Sequence, residues 1–342
     1  VALTVTPYEA INTPGPWTHR LVPANGAQFH LVEAGDGPLV LMLHGFPQYW
    51  WTWREYLPAL ADAGYRAAAM DLRGYAGSDH APRGYDPTTL SNDVLGVIAC
   101  LGEQSAFLVG HGWGAHIGWT AARRSRIVRG LTAMSAPHPV RLREAARTQP
   151  QIKAWRYALR YQWPWLPERD FAADDALRVA DVLQAWSVRR RWLTREVSDR
   201  FRAAFLEANT AHCAMEYHRW AWRSYVRADG RRFNTLMGAE PIRQPVLHIH
   251  GTAGPHSAAR HHHRQRRLRR RALPTRAARR LRPLPARGTP DVVLPMVLAA
   301  AELAGPCTAE DHRGRAQREQ DPVATGTVLS ATLRSACPRL WS

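Results

Sequence analysis

The chain has 342 residues, 45% of them apolar, and carries 46 lysines and arginines against 28 acids, a formal net charge of +18. That length holds one large α/β domain with an insertion or two ordinary domains, and the apolar fraction is ample for a core. The first 30 residues contain no apolar run after a basic start, and nowhere are 18 apolar residues consecutive, so the expectation is a cytoplasmic protein with neither signal peptide nor membrane span.

Residues 21–22 and 29–33 flank the turn Pro23-Ala24-Asn25-Gly26 and predict a hairpin. Residues 39–43 form a short apolar run, as in a strand buried on both faces, and end at His44-Gly45-Phe46-Pro47. A helix is predicted over 53–63, stopped by Gly64, then a strand over 65–70 and a loop over 71–79. The pattern continues with a helix at 89–101, a strand at 106–109, a helix at 115–124 and a strand at 130–134. Such alternation predicts an α/β fold, a parallel sheet with crossover helices.

Between 137 and 243 the rhythm changes to longer helical patterns rich in Trp and Arg, such as 175–189 and 199–210, before residues 246–250 return to a strand. The predicted organisation is therefore a core over 1–136, a helical cap over 137–243, a core strand within 244–253 and a tail over 254–342. An insertion between two strands of one sheet is either a plain helical domain or a lid over the strand ends, where open α/β sheets bind ligands.

The positive charge does not read as a nucleic-acid footprint. Lys153 is the only lysine, so the excess is arginine, whose CGN codons dominate GC-rich genomes. From Gly254 onward there are 17 arginines against 6 acids, a net of +11, so the anomaly is concentrated in the tail. Residues 260–282 could be a basic arm, but no aromatic side chain interleaves the arginines to stack on bases, and no nucleic-acid partner is expected. Cys100, Cys213, Cys307 and Cys337 show no CxxC spacing and no histidine at zinc-ligand distance, which predicts free thiols and no metal site.

Three motifs fall on successive strands: HGFP at 44–47, DLRGYAGSD at 71–79 and VGHGWGA at 109–115. Each alone is weak, and HGFP by itself could be only a tight turn. The last reads as a nucleophile elbow, a sharp strand-to-helix turn between small residues that presents one position at the top of the sheet. The amides of Phe46 and Trp113 would form its oxyanion hole. In this order and spacing the motifs resemble the α/β-hydrolases over about the first 250 residues. The likeness is to the branch of epoxide hydrolases and haloalkane or haloacid dehalogenases.

The resemblance implies a doubly wound, mostly parallel sheet with an inserted helical cap. It also implies a small-molecule substrate, neither cofactor nor metal, and hydrolysis of an epoxide through a covalent ester, dehalogenation being the lesser alternative. His44, Gly45, Pro47 and His111 become candidate pocket residues. The family cap carries two tyrosines that donate hydrogen bonds to the epoxide oxygen. Tyr157, Tyr161 and Tyr217 are candidates for the first. Matching the family's Asn-Trp-Tyr-Arg run to Ala221-Trp222-Arg223 puts Trp222 at the second. Each tyrosine taken singly could equally be cap packing.

The chain departs from the family at its catalytic positions. Where the family elbow reads Gly-His-Asp-Trp-Gly, this chain has Gly112, with no side chain to attack and no Ser or Cys in its place. Gly254 stands at the position of the family's orienting Asp, and the Gly-His-Phe-Pro-His-Glu-Glu motif around the catalytic His is absent. The predicted consequence is an inactive hydrolase or a non-catalytic, small-molecule-binding relative.

Reading the codons that residues 254–291 permit one base later changes the tail. Gly254 and Pro255 then allow Asp-Pro, 265–271 allow Ser-Ala-Asp-Tyr-Val-Ala-Gly, and 279–290 allow Ala-Gly-Phe-Gly-His-Phe-Pro-His-Glu-Glu-Arg-Pro. Third bases are free in this exercise but the first two are nearly fixed, so the match predicts a frameshifted translation from about Gly254. The tail is then expected to be irregular, with the final strand and helix missing or scrambled, although residues 291–303 could form an apolar helix.

Overall fold

The computed structural model describes residues 2–146, 156–187, 190–251, 290–304 and 328–333. A short helix α1 (Pro7–Ile11), opened by a Thr6–Glu9 capping box, precedes the hairpin of β1 (Thr18–Ala24) and β2 (Ala27–Ala34). Asn25 and Gly26 both take positive φ, 47° and 74°, the backbone a two-residue hairpin turn demands. The observed strands outrun the predicted ones because main-chain pairing continues beyond the apolar residues, from Thr18↔Glu33 to Ala24↔Ala27.

All five residues of β3 (Leu39–Leu43) are buried. The helix predicted over 53–63 is realised as α2 (Tyr56–Asp62), preceded by a 3-10 turn, Trp50–Trp53. The indole N–H of Trp50 donates to Ile11 O at 2.8 Å and its amide to Asp71 Oδ1 at 2.7 Å, fixing this turn against the core. Next come β4 (Arg66–Met70), α3 (Pro87–Cys100), β5 (Ala106–His111), α4 (Trp113–Arg124) and β6 (Val128–Met134). Asp86 caps α3 by accepting from the amides of Thr88 and Thr89, both at 3.0 Å.

The cap comprises α5 (Pro139–Ala145), α6 (Arg156–Arg160), α7 (Leu166–Ala185), α8 (Arg195–Phe205), α9 (Thr210–Arg223) and α10 (Ala228–Ala239). Non-helical angles at Ala173, Asp174, Asp175 and Ala176 kink α7, so the periodicity that begins at Asp175 in the sequence marks its second half. The chain then returns to the core in β7 (Val246–Gly251).

Two parts of the tail are regular: a helix where the apolar stretch 291–303 allowed one, and a strand in a tail expected to be irregular. Helix α11 (Pro290–Ala304) buries Val293, Val297, Ala300 and Ala301, a stripe at helical spacing, and Arg129 Nη2 donates to its Ala304 carbonyl at 2.8 Å. β8 (Val328–Leu333) pairs in parallel with β7 from Val246↔Val328 to Gly251↔Leu333. The stretch 252–289, which holds Gly254, the arginine-rich residues 260–282 and most of the codons read one base later, lies outside the described residues.

Among the described residues the sheet has eight strands in the order β1-β2-β4-β3-β5-β6-β7-β8, antiparallel at β1/β2/β4 and parallel elsewhere. From β3 the chain runs outward to β4 and then returns to β5 on the other side of β3. This reversal opens a crevice at the carboxyl ends of β3 and β5, the place where doubly wound sheets bind ligands. No described helix is long and apolar enough to cross a membrane.

Candidate active site

Small residues let β5 turn into α4 with almost no loop. A Cβ at Gly114 would sit 2.1 Å from Leu43 O, so the helix start can lie against the end of β3 only because residue 114 has no side chain. The turn is pinned at both ends, Gly112 N–H donating to Met134 O and Gly114 N–H to His44 O, each at 3.0 Å. Gly112 between them adopts φ 54° and ψ −114°, a strained backbone for any residue with a side chain. This is the geometry of a nucleophile elbow, with a glycine at its apex. A Cβ built on Gly112 meets nothing nearer than Gly45 Cα at 3.6 Å, an ordinary contact, so a Cβ there meets no steric clash.

The amides of Phe46 and Trp113 donate to no acceptor among the described residues, and Trp113 is the first residue of α4, where an unsatisfied N–H and the positive helix end coincide. Both are therefore available to an oxygen bound beside Gly112. Below them, His44 staples two loops: its Nδ1–H donates to Gly45 O and its Nε2 accepts from Leu72 N–H, both at 3.0 Å. It is fully buried, so this predicted pocket residue acts as structure. Asp71 holds the neighbouring loop by accepting from Trp50 N–H, from Gly77 N–H at 3.3 Å and from His30 Nδ1–H at 2.8 Å. Arg73 clamps the same loop to α3 through a buried bidentate pair with Asp93 at 2.8 and 2.6 Å.

His111 is buried beside Gly45, a Cβ at which would come within 2.8 Å of both the ring and the carbonyl of His111; the two loops touch here. The Phe46–Pro47 peptide is cis, and the Phe46 ring points into the cap. Around that ring stand Phe171 at 5.3 Å, Tyr161 at 6.0 Å and His218 at 4.8 Å between centroids. Tyr157 packs on Tyr161 at 5.4 Å and on His218 at 6.4 Å. Burial raises the Tyr157 phenol to about 12 and also pushes the Tyr161 phenol up, so both stay protonated and can donate.

Two predicted cap residues do not join this wall. Tyr217 is fully buried with its hydroxyl donating to Arg73 O at 2.7 Å, which commits the phenol to holding α9 on the core. Trp222 is 41% exposed, one turn beyond the part of α9 that reaches the elbow. The residue that does reach it is His218, unmarked in the sequence reading. The family run Asn-Trp-Tyr-Arg can also be laid on Glu216-Tyr217-His218-Arg219, which would have indicated position 218.

His218 lies between core and cap. Its Nδ1 is 2.9 Å from Ala214 O, an acceptor only, so Nδ1 carries the proton; Nε2 then accepts from the Trp113 indole N–H at 3.4 Å. Burial lowers its pKa to about 4, partly opposed by the bond to Ala214, and the ring is neutral at physiological pH. The neighbouring Arg219 donates to the carbonyls of Tyr161 at 3.2 Å and Trp163 at 2.8 Å and pairs with Glu168 at 2.7 Å and Glu216 at 3.0 Å. It thereby fixes the Tyr161 segment over the elbow. Among the described residues no group of three His, Cys, Asp or Glu side chains is placed to hold a metal ion.

Comparison with known proteins agrees with this architecture. A family model described as alpha/beta hydrolase fold matches residues 38–262. The AB hydrolase superfamily protein YfhM of Bacillus subtilis is 32% identical over 207 residues, 58% of this chain and 72% of that protein. Epoxide hydrolase 3 of Xenopus tropicalis is 41% identical over 158 residues, but this spans only 43% of either chain. The crystal structure of a Bacillus megaterium epoxide hydrolase in complex with an inhibitor superposes with a TM-score of 0.71 at 25% identity, covering 83% of this chain and all 100% of that one.

Proposed function

The chain belongs to the α/β-hydrolase fold family, and from that premise we propose that it is an epoxide hydrolase-like protein whose pocket binds a small molecule without forming the family's ester intermediate. The observation that carries this reading is Gly112. The elbow keeps its strained turn, its free amides and its roofing aromatics, yet the position aimed into the site has no side chain. Attack on an epoxide carbon needs a carboxylate there; a histidine in this chemistry acts only afterwards, on water.

The similarity to epoxide hydrolases, and the inhibitor held by the Bacillus megaterium enzyme, support a small organic ligand. The side chains at the elbow support the same class. The aromatic cluster of Phe46, Tyr157, Tyr161 and Phe171 suits an apolar or aromatic body, while two amides offer donors to one oxygen.

Intact-protein mass spectrometry after incubation with styrene oxide tests this. We expect no adduct on the elbow peptide of the wild-type chain, and an accumulating ester on the same peptide of Gly112→Asp. An adduct at the elbow of the wild type would show that another residue attacks and would end the proposal.

For the tail, we propose that the coding sequence departs from the family frame near codon 254, because the shifted reading restores both Asp-Pro and Gly-His-Phe-Pro-His-Glu-Glu. Gly112 precedes that point and belongs to the unshifted part. Resequencing the DNA around codons 112 and 254 checks both. The expected trace encodes Gly-His-Phe one base later; a trace that does not would remove the frameshift reading.

A further inference from the structure

The core groups placed at the elbow above, two amides and the indole N–H of Trp113, are donors. The tyrosine hydroxyls of the cap are protonated as well. His218 differs from all of these in presenting a lone pair and no proton on its second ring nitrogen. Because its Nδ1–H is spent on Ala214 O, its Nε2 presents a lone pair, and the only group among the described residues that uses it is the Trp113 indole at 3.4 Å. That contact is at the long end for a hydrogen bond, so a ligand hydroxyl at ordinary distance competes well for the lone pair.

Trp113 connects the two sides, its backbone N–H belonging to the amide pair and its side chain touching His218. From this juxtaposition we propose that His218 is the specificity-determining residue of the pocket. It makes the pocket select ligands bearing a hydroxyl, such as alcohols and vicinal diols, over epoxides of the same skeleton. The proposal rests on the small-molecule reading above. A hydroxyl oxygen accepts from the elbow amides while its hydrogen goes to Nε2. An epoxide oxygen accepts only, and with a neutral imidazole opposite it one partner stays unmatched. The pocket thus has the polarity of a product or alcohol site rather than one that polarises an epoxide.

The test compares binding of 1-phenylethane-1,2-diol and styrene oxide to the full chain by calorimetry. One neutral hydrogen bond predicts a preference for the diol of roughly three- to tenfold. His218→Phe should bring the two affinities together, and His218→Tyr, which turns an acceptor into a donor, should shift the preference toward the epoxide. Equal affinities in the wild type, or an undiminished diol preference in His218→Phe, would overturn the role of His218 while leaving a small-molecule pocket in place. Binding of neither probe would overturn the pocket reading and this proposal together. Long-range nitrogen–proton NMR of the wild type needs no variant: the Nδ1–H tautomer of His218 is expected, and an Nε2–H tautomer contradicts the proposal.

Discussion

Core and cap meet at the elbow and contribute to it in different ways. The core side is made of backbone: two amides and a strained glycine turn, held by contacts so close that a methyl group at Gly114 cannot be accommodated. The cap side is made of side chains, Tyr157, Tyr161 and His218, positioned by packing and by a buried arginine. The turn is set by main-chain hydrogen bonds and by the small residues at 112 and 114, and needs no functional side chain to hold its shape. Side-chain chemistry has no such protection. The site therefore keeps the shape of a hydrolase while its polar preferences are set by whichever residues the cap presents.

Removing the cap's anchor should have the largest effect on that balance. Arg219→Met removes the charged group that pairs with half-buried Glu168 and Glu216 and that donates to the carbonyls of Tyr161 and Trp163, leaving Glu168 only His212 at 3.4 Å, an expected loss of about 3–5 kcal/mol over these charge-assisted bonds. Chemical denaturation should show it, together with loss of ligand binding. Destabilisation below about 1 kcal/mol would mean that the aromatic contacts alone hold the cap.

The matching change in the core is Gly114→Ala. Its Cβ would lie 2.1 Å from Leu43 O, so the helix start must shift, at a cost of about 3 kcal/mol. Unchanged stability would show that the elbow is looser than drawn.

Gly112→Asp is smaller in effect and more informative. There is room for the side chain but φ is 54°, so about 1–3 kcal/mol of backbone strain is expected with the fold retained. A Gly112→Asp variant as stable as wild type would contradict the claim that the strained turn persists in this chain.

The smallest effect separates the regions by pH. Burial lowers His116 and His138 to about 4, each further depressed by a nearby basic group, His138 and Arg141 respectively, and His218 reaches about 4 as well. Below pH 6.5 the unfolded chain takes up protons that the folded chain refuses, so this stability is fully present above 6.5 and is lost as pH falls toward 4. Each histidine contributes a slope of about 1.4 kcal/mol per pH unit. His218→Phe should reduce the combined slope by about one histidine's share in denaturation series between pH 5 and 6, a window placed by the shifts themselves. An unaltered slope would mean that His218 titrates normally.

The same division explains what the sequence discloses. The core is legible because its strands are short apolar runs and its turns need particular small residues, so HGFP and VGHGWGA mark positions directly. Even there the helix predicted over 53–63 begins only at Tyr56, because the 3-10 turn Trp50–Trp53, held by the hydrogen bonds of Trp50 to Ile11 and Asp71, precedes it. The cap is legible only as helical. Whether Tyr217 or His218 faces the elbow depends on how α9 rotates against the core, which the buried bond from Tyr217 to Arg73 O decides across 144 residues. Trp222 drew attention by its neighbours in sequence, but one helical turn carries it to the surface.

The proposed loss of the reaction at a retained elbow can be put to one assay. Steady-state formation of 1-phenylethane-1,2-diol from styrene oxide by the wild-type chain measures this directly. The account predicts a rate equal to that in buffer, because no carboxylate at residue 112 can open the ring. Saturable turnover above buffer, abolished by a bulky substitution such as Gly112→Phe, would contradict it.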